Sequence, residues 1–216
     1  MADTTRRAAV PQMFAPVKVR EQRSSIPCHD KDGHAGMTRR LFVALSPPPR
    51  VADALLDMME GVAGARWQDA DNLHLTLRFI GEADRHLEHD LVTALSDIRV
   101  QPFTLSLAGV GQFSGRHRPR AIWADMERSE PLHDLQWQVE CAARRAGCPA
   151  ETRRFTPHVT LGRLNSGSGP IGDWLKANGD FRAPEWPVSS FSLYESDLTP
   201  NGPIYTQLED FGQRLQ

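Results

Sequence analysis

Apolar and polar residues alternate without a break from Asn72 to Phe79. Successive side chains of a β-strand point to opposite faces, so this pattern predicts a half-buried strand. Leu73, Leu75, Leu77 and Phe79 would face a core, and Asn72, His74, Thr76 and Arg78 would face outward. The phrase His74-Leu75-Thr76-Leu77 returns later as His158-Val159-Thr160-Leu161, again with His and Thr on one face over an apolar frame. Short apolar or alternating runs predict further strands over 41–45, 103–107, 121–126, 188–195 and 204–209. Apolar residues at helical spacing predict helices over 50–60, 83–100, 131–146 and 171–177. Strands and helices are interspersed, but some strands follow one another too closely for a parallel sheet. The fold class expected is therefore α+β. The repeated phrase predicts two similar lobes, each an antiparallel sheet with helices on its outer face.

Composition changes this picture at one end. Residues 1–36 have no sustained periodicity and are rich in Arg, Ser, Pro and Ala, which predicts a disordered extension before a folded domain over 37–216. Arg6-Arg7 precedes a weakly apolar stretch, but Pro11, Gln12 and Pro16 interrupt it, so it does not read as a targeting signal. Apolar content of 40% and charged content of 24% are those of an ordinary globular protein. A net charge of −2 gives no global attraction to a polyanion, so a nucleic acid would have to meet a local basic patch. The densest such segment is 115–120, with Arg118 in it. Three cysteines (Cys28, Cys141 and Cys148) are odd in number and lack metal spacing, which predicts reduced thiols and a cytoplasmic protein. No apolar run approaches membrane-spanning length.

The candidate chemistry lies in the two His–Thr pairs. One such triplet means little, because a strand histidine is commonly just a surface residue. Two copies in the same hydrophobic frame are much harder to assign to chance. Near neutral pH an imidazole serves as acid or base, and a threonine hydroxyl donates to a charged oxygen. Arg78, on the same predicted face, would add positive charge. No acidic metal cluster is evident, and acid–base catalysis does not need one, so neither metal nor cofactor is expected. His86 and His89 share a helix face without a third ligand. Gly109-Val110-Gly111 lacks the rest of a nucleotide fingerprint. Phe42 and Phe155 are candidates for stacking on a base.

At these residues the chain resembles the two-histidine (2H) phosphoesterase superfamily, and within it the RNA 2′,3′-cyclic phosphodiesterases, historically called 2′-5′ RNA ligases. The resemblance rests on four stretches in the family's order: Leu41-Phe42-Val43-Ala44-Leu45, Asn72-Leu73-His74-Leu75-Thr76-Leu77 with Gly81-Glu82, Pro157-His158-Val159-Thr160-Leu161-Gly162-Arg163, and Phe191-Ser192-Leu193-Tyr194-Glu195-Ser196. It implies lobes related by a pseudo-twofold axis, with both histidines in the cleft between them. It further implies hydrolysis of RNA ends or nucleotides bearing a 2′,3′-cyclic phosphate to 2′-phosphates, with reversible 2′-5′ ligation as the related reaction. In that scheme His158 is the base that activates water and His74 the acid that protonates O3′. The resemblance also places Arg163 near the substrate. Arg163 lies five residues after His158, so an unbroken strand would turn it to the opposite face. It reaches the cleft only if the strand ends or bulges near Gly162. Other small phosphodiesters remain open: a cyclic nucleotide, ADP-ribose cyclic phosphate or 2′-5′ oligoadenylate. So does a non-catalytic RNA-binding module on the same fold. A monomer is expected.

Overall fold

The structure, a computed structural model, describes residues 38–115, 118–200 and 202–212. The extension expected over 1–36 lies outside the described residues. Within them, ten strands and four α-helices are β1 (Arg39–Leu45), α1 (Pro49–Leu56), β2 (Arg66–Trp67), β3 (Leu75–Ala83), α2 (Arg85–Ser96), β4 (Phe103–Leu105), β5 (Leu107–Ser114), β6 (Pro119–Met126), α3 (Glu130–Arg145), β7 (His158–Arg163), α4 (Gly172–Ala177), β8 (Trp186–Val188), β9 (Ser190–Thr199) and β10 (Gly202–Gly212). The fold is α+β, and every strand pair in it is antiparallel.

The two expected sheets are halves of one. The order is β10-β9-β1-β3-β7-β6-β5, with β2 added to β7, while β4 and β8 form a separate pair. The halves join through one ladder pair, Leu75 with Val159, and both side chains are fully buried. A local twofold relation follows from that register. β1 stands beside β3 as β6 stands beside β7: Ala44 faces Thr76 and Val43 faces Arg78, as Trp123 faces Thr160 and Ile122 faces Gly162. In each half the register skips the residue after the threonine, Leu77 in β3 and Leu161 in β7, and β3 skips a second at Ile80. A bulge of this kind inserts an extra residue and re-aims the side chains that follow it.

The helices have local causes. Asp84 caps α2 by accepting from the Leu87 amide at 2.8 Å, and Ser129 caps α3 by accepting from the Leu132 amide at 3.3 Å. Gly147, at φ 103°, follows the end of α3 in a conformation glycine adopts at no steric cost. Leu91 and Leu95 of α2 are fully buried, as are Leu132, Val139 and Ala142 of α3. α1 stops at Leu56, so Met58 and Met59 of the expected helical stripe lie beyond it. The strand expected over 103–107 divides at Ser106: β4 leaves to pair with β8, and β5 becomes the partner of β6. Gly111 therefore sits within a strand, where an added Cβ would come within 2.4 Å of the Trp123 ring. Close packing against an indole accounts for that glycine.

Candidate active site

Because Leu75 and Val159 turn inward at the junction, their neighbours turn outward. One step along the antiparallel register puts His74 opposite Thr160 and Thr76 opposite His158. The four side chains line one cavity of about 480 Å³, together with Arg163, Phe79 and Tyr205. The structure thus brings His74, Thr76, His158 and Thr160 together.

Both imidazoles are held alike. His74 Nδ1 donates to the Asn72 carbonyl at 2.8 Å, and His158 Nδ1 donates to the Thr156 carbonyl at 2.7 Å. A carbonyl oxygen only accepts, so Nδ1 carries the proton and Nε2 of the neutral ring is left with its lone pair. The aromatic surroundings differ. His74 is packed by Phe42, with centroids 4.9 Å apart, and by Tyr205 edge-on at 5.0 Å. His158 meets Phe113 edge-on at 4.7 Å and Trp123 at 5.8 Å.

The electrostatics differ as well. Burial, opposed by the Asn72 carbonyl and reinforced by His158 and Arg163, brings His74 down to a pKa of about 4. Burial also lowers His158, but the Thr156 carbonyl and the Asp125 carboxylate both work against it. Asp125 is the ladder partner of His158. The two rings are therefore not electrostatically equivalent.

The two bulges decide where the remaining expected residues point. After Leu161 the alternation slips, and Arg163 lines the cavity although it lies five residues beyond His158. The Gln68 amide takes the Leu161 carbonyl at 2.9 Å, so the irregularity leaves that acceptor satisfied. Arg163 and Tyr205, from strands of the two halves, line the cavity together, and the Arg163 charge works against the burial that raises the Tyr205 hydroxyl. The same slip after Leu77 corrects the reading of Arg78. Phe79, not Arg78, follows Thr76 on the cavity side, and Arg78 is 7% exposed inside the protein. Its Nε donates to Glu140 Oε2 at 2.6 Å, and its terminal nitrogens donate to the Phe79 and Pro149 carbonyls, each at 2.6 Å. Its charge is taken up by Glu140, and it borders the neighbouring groove rather than the cavity that holds both imidazoles.

Two more expectations change. Phe42 lines the cavity but is 2% exposed, enclosed by His74, Tyr194, Tyr205 and Phe79, so its ring walls in His74 and offers no free face to a base. Arg118 is exposed between β5 and β6 and is not part of the cavity wall. Phe155 borders a neighbouring groove, with its ring edge-on to His133. Tyr205 is a site residue that the sequence reading missed, since nothing in the alternation of 204–209 distinguishes it. His86 and His89 find no third metal-ligating side chain among the described residues.

A family model described as "LigT like Phosphoesterase" matches residues 45–123 and again 125–205, once for each half of the repeat. The chain belongs to the LigT-like phosphoesterase family. It is 31% identical over 175 residues to the RNA 2′,3′-cyclic phosphodiesterase of Archaeoglobus fulgidus, covering 80% of this chain and 99% of that protein. It is 32% identical over 180 residues to the RNA 2′,3′-cyclic phosphodiesterase of Escherichia coli K12, covering 79% and 94%. The crystal structure of E. coli LigT complexed with 3′-AMP superposes with a TM-score of 0.68 at 29% identity, covering 82% of this chain and 99% of that chain. The two-lobed LigT-like architecture is thus shared along nearly the whole length of these relatives.

Proposed function

We propose that this LigT-like phosphoesterase hydrolyses RNA 2′,3′-cyclic phosphate ends to 2′-phosphomonoesters, with His74 and His158 as its acid–base pair. The observation that carries the reading is the matched pair of imidazoles. Each is held by Nδ1 on the carbonyl two residues earlier, and each lines the same cavity beside a threonine. The names of the relatives support the substrate class.

In an in-line displacement the attacking and leaving oxygens lie on opposite sides of phosphorus, so the two proton transfers need two groups that flank it. His158 takes a proton from water and His74 gives one to O3′. Thr76 and Thr160 donate to the non-bridging oxygens, and Arg163 balances their charge. This order requires a proton on His74, whose proton affinity burial, His158 and Arg163 depress in the free site. A bound phosphodiester anion offsets the field of Arg163 and so raises the proton affinity of His74. Run in the same direction with an RNA 5′-hydroxyl in place of water, the same steps form a 2′-5′ linkage as O3′ leaves, and their reversal cleaves it.

The test is hydrolysis of a nucleoside 2′,3′-cyclic phosphate in EDTA across pH, with the product isomer identified. The expected product is the 2′-phosphate. The expected kcat/KM profile is bell-shaped with its optimum below the ordinary histidine value, because both free imidazoles are lowered. Absence of turnover on every 2′,3′-cyclic phosphate would overturn the assignment and direct the search to other cyclic or 2′-5′ phosphodiesters.

A further inference from the structure

A second groove of about 590 Å³ is bordered by His158 and Thr76 but not by His74 or Tyr205. Thr76, Phe79, Phe113 and His158 border both spaces, so the two meet at the proposed phosphate position. The second groove adds Arg153, Arg154 and Phe155 from the segment leading into β7. Arg40 reaches over the Phe79 ring at the junction, 4.9 Å from its centroid.

The charge of this groove is uneven in a useful way. Glu151, the acidic residue in its wall, is taken up by Arg153, whose Nη2 lies 2.7 Å from Oε2, and by Arg78 at 3.5 Å. Arg153 and Arg78 hold that carboxyl well below its usual range. Arg40 and Arg154 form no salt bridge among the described residues. The groove therefore offers two guanidiniums without acidic partners, on a protein whose overall charge is −2.

Ribose chemistry says what would lie there. In a 2′,3′-cyclic phosphate the phosphorus bridges C2′ and C3′. The base leaves from C1′ and the 5′ chain from beyond C4′, so the two depart on opposite sides of the bridge. With the phosphate at the junction, one groove takes the base and the other takes the 5′ chain. The arginine-bearing groove suits an anion, which leaves the space beside Tyr205, Leu198 and Pro203 for the base. We propose that the second groove is a subsite for the phosphodiester on the 5′ side of the terminal nucleotide, with Arg154 as its principal contact. The enzyme is then built for RNA ends and turns over a lone cyclic nucleotide less efficiently. This inference rests on the function proposed above.

The test compares kcat/KM for a nucleoside 2′,3′-cyclic phosphate with that for a dinucleotide ending in the same group. The dinucleotide should be preferred, and its advantage should shrink with salt, by a slope of about 0.7 per phosphate contacted. Arg154→Ala should reduce the dinucleotide-to-mononucleotide ratio roughly five- to tenfold, and Arg154→Lys should restore part of it. Arg128, exposed and outside both grooves, is the control for general charge: Arg128→Ala should leave the ratio as it was. Equal kcat/KM on the two substrates in the parent enzyme would overturn the subsite, as would an equal fall on both in Arg154→Ala or a matching fall in Arg128→Ala. If neither substrate is hydrolysed, the function itself is refuted and the subsite with it.

Discussion

Arg78 and Glu140 form a buried ion pair, Nε to Oε2 at 2.6 Å, between the strand that follows His74 and helix α3. The other oxygen of Glu140 accepts from the Glu151 amide at 3.1 Å, and Arg78 also takes the Pro149 carbonyl. One pair thus ties β3 and α3 to the segment that enters β7, whose Thr156 carbonyl orients His158. Removing one partner of a buried pair leaves an uncompensated charge. Arg78→Met should therefore cost about 3–5 kcal/mol of stability, read from urea unfolding. Arg78→Met combined with Glu140→Leu should recover much of that loss. A single variant as stable as the parent would mean that the pair does not brace these elements.

How much of this was legible beforehand is itself physical. The four His and Thr positions could be read because strand alternation is local and the two copies share one frame. The helices α2 and α3 could be read for the same reason. The destination of Arg78 could not, because it depends on a bulge at Leu77 and on Glu140, 62 positions further along. A bulge is set by the partner strand, here β1, which contributes nothing to the local pattern of β3. Arg163, five residues after His158, needs a bulge near Gly162 to reach the cavity, and the pairing with β6 supplies it at Leu161. Tyr205 enters the cavity only through the β9–β10 pairing, which puts it beside Ser196. Its role had no local signature.

Arg163 is expected to act on His74 as well as on a bound phosphate. Its positive charge is one of the influences that lower His74. Arg163→Met should raise the His74 pKa, measured by NMR titration of the ring, while kcat/KM on a cyclic phosphate falls roughly 10- to 100-fold. The opposite movement of the two readings is what distinguishes a cleft cation from a merely structural one. An unmoved His74 titration would show that the guanidinium does not face that ring.

The depressed pKa of His74 also makes stability depend on pH. Its unfolded value is near 6.5 and its folded value about 4, so between these limits the unfolded chain binds the extra proton. Stability should accordingly fall as pH drops from 6.5 toward 4, with a slope from this group of at most about 1.4 kcal/mol per pH unit. The carboxylates add their own dependence, so the informative quantity is the difference between the parent and His74→Phe. The variant should lose less stability on acidification from pH 6.5 to pH 5. Parallel curves would contradict the buried, neutral state of His74.

The roles of the two histidines separate when the leaving group no longer needs a proton. On a cyclic phosphate, His74→Ala and His158→Ala should each lose about 10²–10⁴-fold in kcat with the fold intact by circular dichroism. O3′ is a poor leaving group, so loss of the acid is as damaging as loss of the base. An aryl phosphodiester releases a phenolate that departs without protonation, so only the base remains essential. If His74 is the acid, His74→Ala should keep most of its turnover on the aryl diester while His158→Ala stays inactive. Rescue of His158→Ala instead would reverse the order, in keeping with the proton that Asp125 favours on His158 in the free site. Rescue of both variants would mean that neither imidazole activates water, and the acid–base assignment would fail.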